Sequence, residues 1–396
     1  VSFLGSIKLF SRVKNSSPLS YLFYSGTIYI FFGLFIGENG LNLISHDIIR
    51  HLEPLINLSL GWVGFLFGFQ MELKFLKRIN GSWYLILFFT YFAAFLSIFF
   101  FSLLVIGHFF TDTPGTAGFA LGIAMMLAIL LPESSIPYVI WSSKLFKKQT
   151  ENMRLCVFIS STDNFFPILF TGIVFSLCGF LPASGEIIIN GTGKFLLSFS
   201  LQLLAGILIG GVIHVLQEKI KEKYEIPTIL LGSVFLIAGF SLIFSYSLLF
   251  VAMVSGAVFS NLTKKTDRYI SILGPTEKPI YLIFLIFLGI KYVLFSVEMI
   301  LIALVLLLIK FNSRALVFKS LHKIKPRWFN ISPYYSYLLL PLSSIAPAIL
   351  LNLQIAFPNE AVSVISGIFI ICFIMAELFA PVGLKIVKRN ILEGIS

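Results

Sequence analysis

The sequence predicts an all-α polytopic membrane protein of about 12 transmembrane helices, and three observations predict it. Of 396 residues, 58% are hydrophobic and only 12% charged, with a mean hydropathy of +0.96. Lys and Arg gather in alternate loops, and two apolar runs are interrupted by nearly the same string of prolines and serines. This composition excludes a soluble globular domain and a disordered chain. With loops too short for an appended soluble domain, residues 1–396 read as a single membrane domain.

Apolar runs of bilayer-spanning length fall at about 20–43, 53–76, 82–110, 115–143, 155–180, 195–217, 226–244, 246–263, 279–296, 298–318, 334–357 and 361–384. Charge placement tests this count. Lys8, Arg12 and Lys14, the basic residues of every loop after an even-numbered span, and those of the tail all fall on one side. Only Arg50 and Lys194 fall on the other, so both termini are expected in the cytoplasm. The formal charge of +11 then reports topology and does not imply a nucleic-acid partner. No cleavable signal peptide is evident, and a start at Val1 reads as a trimmed or truncated N-terminus. Cys156, Cys178 and Cys372 lie in apolar runs without metal spacing and read as packing residues.

Lys291, Lys310 and Arg314 remain within spans, where an unpaired cation is costly and therefore faces a partner or a cavity. Lys310 and Arg314 are four residues apart and share one helix face. Arg314 is close enough to the cytoplasmic end to snorkel, which leaves the deeper Lys310 as the stronger functional candidate. Lys291 reads as close to the outer boundary.

"LPESSIPYV" (Leu131 to Val139) in span 4 and "LPLSSIAPAI" (Leu340 to Ile349) in span 11 share P-x-S-S-I followed by a second proline. The shared positions are Pro132, Ser134, Ser135 and Pro137 in one string, and Pro341, Ser343, Ser344 and Pro347 in the other. Proline removes a backbone donor and clashes with the preceding turn, so each string should unwind its helix. Unwound backbone is tolerated inside a membrane only where protein or a cavity surrounds it. The spans run in opposite directions, which predicts inverted repeats with two broken, crossing helices, the architecture of a secondary transporter. The next span in each copy places an acid four residues before a proline: "DNFFP" (Asp163 to Pro167) and "ELFAP" (Glu377 to Pro381). Spans 3–5 and 10–12 therefore read as the two copies.

The chain at this point resembles the cation/proton antiporter superfamily: the NhaA- and NapA-type sodium/proton antiporters and their KefC-like relatives. The resemblance rests on the order of "GLFIGENGLNLI", "FLFGFQMELKFLKR", "LIFLGIKYVL" and "ILIALVLLLIKFNSRALVF" around the broken helices. It implies core helices at about 82–180 and 298–388, and dimer or panel helices at about 20–76 and 195–296. It also implies Asp163 as the residue exchanging cation and proton, and Lys310 as its basic neighbour, salt-bridged to it when no cation is bound. Many members carry two adjacent aspartates; here Asp163 stands between Thr162 and Asn164, either of which fills the second place. Glu133, at the first break, is a second candidate carboxylate, while Glu377 lies nearer the cytoplasmic end and reads as structural.

Burial and a neighbouring cation act in opposite senses on a carboxylate's hold on its proton. That balance lets a hard cation and a proton compete for the same oxygens. The expected function is Na⁺/H⁺ antiport, with K⁺ as the other possible ion, and with no resident cofactor. The expected partners are the transported ion and proton, the bilayer and a second copy in a homodimer, in a prokaryotic plasma membrane. Two readings compete: a sodium-coupled organic anion symporter, for which Arg314 and Asn352 are the candidate contacts, and a non-transporting relative. An enzyme is not expected, because no nucleophile–base pair, phosphate loop or metal quartet is evident.

Overall fold

The computed structural model describes residues 25–38, 40–44, 46–109, 116–146, 150–179, 188–189, 192–219, 225–263, 266–291, 296–324, 332–357 and 360–392. The start of span 1 and the expected loop cations Lys147, Lys148, Lys221, Lys223, Lys264, Lys265, Lys325 and Arg327 lie outside the described residues, as do Lys8, Arg12 and Lys14.

The first half of the chain forms α1 (Ile28–Ile36), α2 (His46–Phe69), α3 (Leu73–Leu76), α4 (Gly81–Phe109), α5 (Thr116–Leu130), α6 (Ile136–Lys144), α7 (Glu151–Thr162) and α8 (Phe165–Leu177). A short antiparallel pairing of β1 (Cys178–Gly179) with β2 (Ile188–Ile189) leads to α9 (Thr192–Glu218), α10 (Glu225–Ile243) and α11 (Leu248–Leu262). The remainder forms α12 (Thr266–Leu273), α13 (Glu277–Ile290), α14 (Val297–Ile324), α15 (Ile345–Ala356) and α16 (Glu360–Leu392). Among the described residues, 8 segments are long and apolar enough to cross a membrane. Shorter apolar helices at Ala120–Leu130, Leu248–Leu262 and Ile345–Ala356 stand where spans 4, 8 and 11 were expected. Wide apolar faces, such as Leu208 at 67% and Ile243 at 78% exposure, suit hydrocarbon rather than water. The protein is an integral membrane protein.

Four boundaries differ from expectation, and proline explains most of the difference. Span 5 crosses as one segment, Glu151–Leu177, but its helix is interrupted at Asp163 and Asn164: α7 ends at Thr162 and α8 begins at Phe165. Pro167 offers no N–H to the Asp163 carbonyl, which instead accepts from Phe166 N at 3.2 Å. The first half of span 11 is a 3₁₀ helix, Pro333–Leu339, bounded by Ser332 and the break at Leu340. Span 9 starts earlier than expected, because α12 and α13 are separated only by the Gly274–Thr276 turn, so Arg268 and Lys278 belong to the Arg268–Ile290 segment and not to a loop. Span 12 continues through Pro381 and ends at Leu392.

Helix packing relies on close approach at small residues. A Cβ on Gly256 of α11 would lie 2.1 Å from the Phe65 carbonyl oxygen of α2, so glycine is required there. Helices α4, α14 and α16 pack as a second group, and the 3₁₀ segment lies against α14 and α16.

Candidate functional site

The two serine–proline strings meet. Helix α5 ends at Leu130 and α6 starts at Ile136; Leu131 N still donates to the Leu127 carbonyl and the Ser135 carbonyl accepts from Val139 N, so the break proper is Pro132 to Ser134. Leu340 to Ser344 form the corresponding break before α15. The two are joined directly, Ser135 N donating to the Pro341 carbonyl at 3.0 Å. Within each string the prolines divide the work. Pro132 and Pro341 lie in the breaks, whereas Pro137 and Pro347 sit in the first turn of α6 and α15, where a missing N–H costs nothing. Ser135 caps α6, its hydroxyl accepting from Tyr138 N, and Ser343 Oγ accepts from Ile345 N at 3.1 Å. Ser344 is the N-cap residue of α15, without a side-chain cap bond.

A broken helix leaves carbonyls unpaired, with a partial negative charge at each C-terminal end. Lys310 of α14 answers both breaks: its ammonium donates to the Glu133 carbonyl and to the Leu340 carbonyl, each at 2.8 Å. One turn further on, Arg314 Nη1 donates to the Leu339 carbonyl at 2.8 Å and to Ser134 Oγ at 3.0 Å. Arg314 Nη2 lies 3.3 Å from Asp163 Oδ2 in an ion pair. The Ser134 hydroxyl donates to the same carboxylate oxygen.

This arrangement corrects two expectations. Arg314 does not snorkel; it is 1% exposed and is the counter-charge of Asp163. Lys310, expected in that role, holds the broken backbone instead. The reason is reach: Lys310 and Arg314 share a face of α14, and the axial register of α14 against the breaks sets Arg314 level with the α7–α8 junction. Desolvating these charges is tolerable because each cation is bonded to a carboxylate or to carbonyls.

Asp163, Glu133 and Lys310 are 0% exposed and Asn164 is 1% exposed. Asp163 Oδ1, both Glu133 carboxylate oxygens and both amide atoms of Asn164 have no protein hydrogen-bond partner. Buried oxygens of this kind are where a proton or an oxygen-loving cation is stabilised. Glu133 therefore faces the protein interior and not boundary water. Thr162 has a different setting. With Ser161 it lines a cavity of about 580 Å³ whose two walls are α6 and α7 on one side and α2, α3 and α12 on the other. Ser161 Oγ donates to the Phe158 carbonyl at 2.8 Å and lies 3.4 Å from Thr162 Oγ1, and sequence reasoning gave it no role. Glu377 is buried on α16, which the hydrogen bonds of Asp163 do not reach. Asn352 of α15 is 5% exposed.

No family model and no curated protein matches the chain. Among solved structures, the sodium proton antiporter MjNhaP1 from Methanocaldococcus jannaschii is similar to it, with a TM-score of 0.64 and 18% sequence identity. That similarity covers 93% of this chain and 91% of the other. The helices described above are therefore arranged in the same fold as that structure.

Proposed function

We propose that the protein is a secondary active monovalent cation/proton antiporter that exchanges Na⁺, or K⁺ in its place, for H⁺ at Asp163. One observation carries this reading. The Asp163 carboxylate is wholly buried beside two joined helix breaks, with Oδ2 held by Ser134 and Arg314 and Oδ1 without a protein partner, one residue from a cavity. Cation and proton compete for that carboxylate, and Arg314 is the third competitor. When neither is bound, the ion pair keeps the buried charge compensated. A hard cation entering past Thr162 finds carboxylate, hydroxyl and amide oxygens, the donor set such ions favour. Lys310 keeps the broken backbone rigid while Arg314 lets go.

In this reading the twelve spans form inverted repeats, with spans 4 and 11 crossing at Ser135 and Pro341, a contact that supports it. Core helices at about 82–180 and 298–388 move against panel helices at about 20–76 and 195–296, which also pair in a homodimer. The cavity opens on the side of the basic loops, and so toward the cytoplasm of a prokaryotic cell, where both termini lie. A cysteine at Lys147 should label only from inside, and one at Glu186 only from outside.

The deciding experiment reconstitutes the protein in proteoliposomes with an internal pH dye and adds Na⁺, K⁺ and Li⁺ separately. Cation-driven proton movement is expected. Uptake that requires an organic anion would favour symport, and silence toward every ion would favour a non-transporting relative.

A further inference from the structure

The cavity separates two walls at one end of the bundle, Ile140, Arg154 and Thr162 facing Phe69, Ile270 and Leu273. Helix α11 finishes at this end, where Leu73 N donates to Asn261 Oδ1 at 2.8 Å and Asn261 Nδ2 donates to the Met71 carbonyl at 3.1 Å. Ser247, the N-cap of α11, therefore lies about 20 Å away along the helix axis, at 1.5 Å per residue. Ser176, near the end of α8, is likewise at the end remote from the cavity-lining turns of α7.

At the remote end the walls touch. Gly172 of α8 lies under the ring of Phe250: a Cβ added there would be 2.6 Å from Phe250 Cγ. Only glycine allows this approach. Beside it the carboxamide of Gln202, on α9, is used at both ends. Its oxygen accepts from Ser247 N at 3.0 Å, which fixes the amide orientation, and its Nε2 donates to Ser176 Oγ at 2.7 Å. The Ser176 hydroxyl in turn donates to the Gly172 carbonyl at 2.9 Å. Gln202, Ser176 and Ser247 are all 0% exposed. Buried amides hold such positions only when bonded.

We propose that Gln202 is the latch of a gate at the end of the protein opposite the cavity. Ser247 aims the carboxamide from the panel side, and the Gln202–Ser176 bond, with Phe250 seated on Gly172, holds α8 against the panel while the cavity end is open. Opening the remote end breaks this hydrogen bond between α8 and α9 and lifts the ring from the glycine. A neutral amide suits the task, because its bond exchanges for water at little net cost and no charge has to be moved between media. The inference rests on the alternating access of the proposed antiport, and it names the groups that close the second entrance.

Two measurements test it, in a chain with Cys156, Cys178 and Cys372 replaced by Ala. First, Ser176→Cys and Gln202→Cys joined by a short bis-thiosulfonate reagent should abolish cation–proton exchange in proteoliposomes, and reduction should restore it. Exchange at the unlinked rate in the linked protein would overturn the latch. Second, Gln202→Leu keeps the size of the side chain and removes its bonds. It should raise labelling of Ser247→Cys, which keeps the backbone N–H bonded to Gln202 and the Ser176 hydroxyl in place, by an impermeant thiol reagent about tenfold, the population shift that roughly one hydrogen bond controls. Equal labelling with and without Gln202 would also overturn it. The labelling result stands apart from transport: a reconstituted wild-type chain that moves no protons defeats the antiport reading, while the latch is still judged by labelling.

Discussion

The strings Asp163 to Pro167 and Glu377 to Pro381 have the same spacing of acid and proline, yet α7 stops at Thr162 whereas α16 runs unbroken from Glu360 to Leu392. Each proline withholds a hydrogen bond from the carbonyl four residues earlier. Membrane helices absorb that loss when neighbours supply other partners. Around Pro381 the helix stays closed, and the Tyr138 hydroxyl donates to the Ala380 carbonyl at 2.6 Å from α6. At Asp163 the side chain is drawn into the break region by Ser134 and Arg314, and the backbone turns there. The same local rule therefore gives an interrupted helix in one case and a tolerated proline in the other, and the difference lies in what faces each acid.

The largest effect that separates the two regions is on exchange. Asp163→Asn keeps the shape and removes the titratable charge, so cation-dependent proton movement in proteoliposomes should fall to background. Glu377→Gln should keep most of the activity; equal loss in both would erase the distinction.

Stability comes next. Arg314→Ala leaves a buried carboxylate without its counter-charge and should cost about 3–5 kcal/mol in denaturant or thermal unfolding. Lys310→Met removes bonds to two carbonyls and no carboxylate partner, and should cost about 1–3 kcal/mol. The reverse order would return Lys310 to the role the sequence suggested.

Helix continuity is a smaller effect. Pro167→Ala returns an N–H to the Asp163 carbonyl, worth about 1 kcal/mol of helix stability. It should slow exchange by straightening the junction, while Pro381→Ala should leave the rate nearly unchanged. A Pro167→Ala protein with unaltered exchange would mean that the kink is incidental.

Smallest of all should be the response to membrane potential. With Asp163 as the one exchanging acid, about one proton moves per cation and the rate should vary little when the potential is clamped at different values. Glu133→Gln should not alter that. Strong potential dependence that disappears in Glu133→Gln would place a second exchanging acid at the α5 break.

Much of the fold was legible because its causes are local. A run such as Gly81–Val105 is apolar for long enough to span a bilayer, and the strings at Pro132 and Pro341 each place two prolines and two serines within seven residues, more than a helix absorbs. Asp163 was legible for a similar reason: an acid deep in an apolar span is costly unless it has a use. The unequal fate of the two acid–proline strings was not read in advance, although Ser160, Ser161, Thr162 and Asn164 around Asp163 are poor helix formers whereas the neighbours of Glu377 are apolar. Nor was the Gln202 bridge, whose partners Ser176 and Ser247 lie 26 and 45 residues away.

By itself the sequence determined the helical class, the placement of most spans, the two breaks and the buried acid, since hydropathy, proline geometry and the cost of burying charge act over a few residues. Only the tertiary structure decided which cation serves Asp163. Lys310 and Arg314 lie on one face a single turn apart, about 6 Å along the axis. Which of them meets the carboxylate depends on how far α14 is advanced past the two breaks. That register is set by the packing of α14 against α4, α16 and the 3₁₀ segment. It is a property of the assembled bundle, because each of those contacts joins residues far apart in the chain.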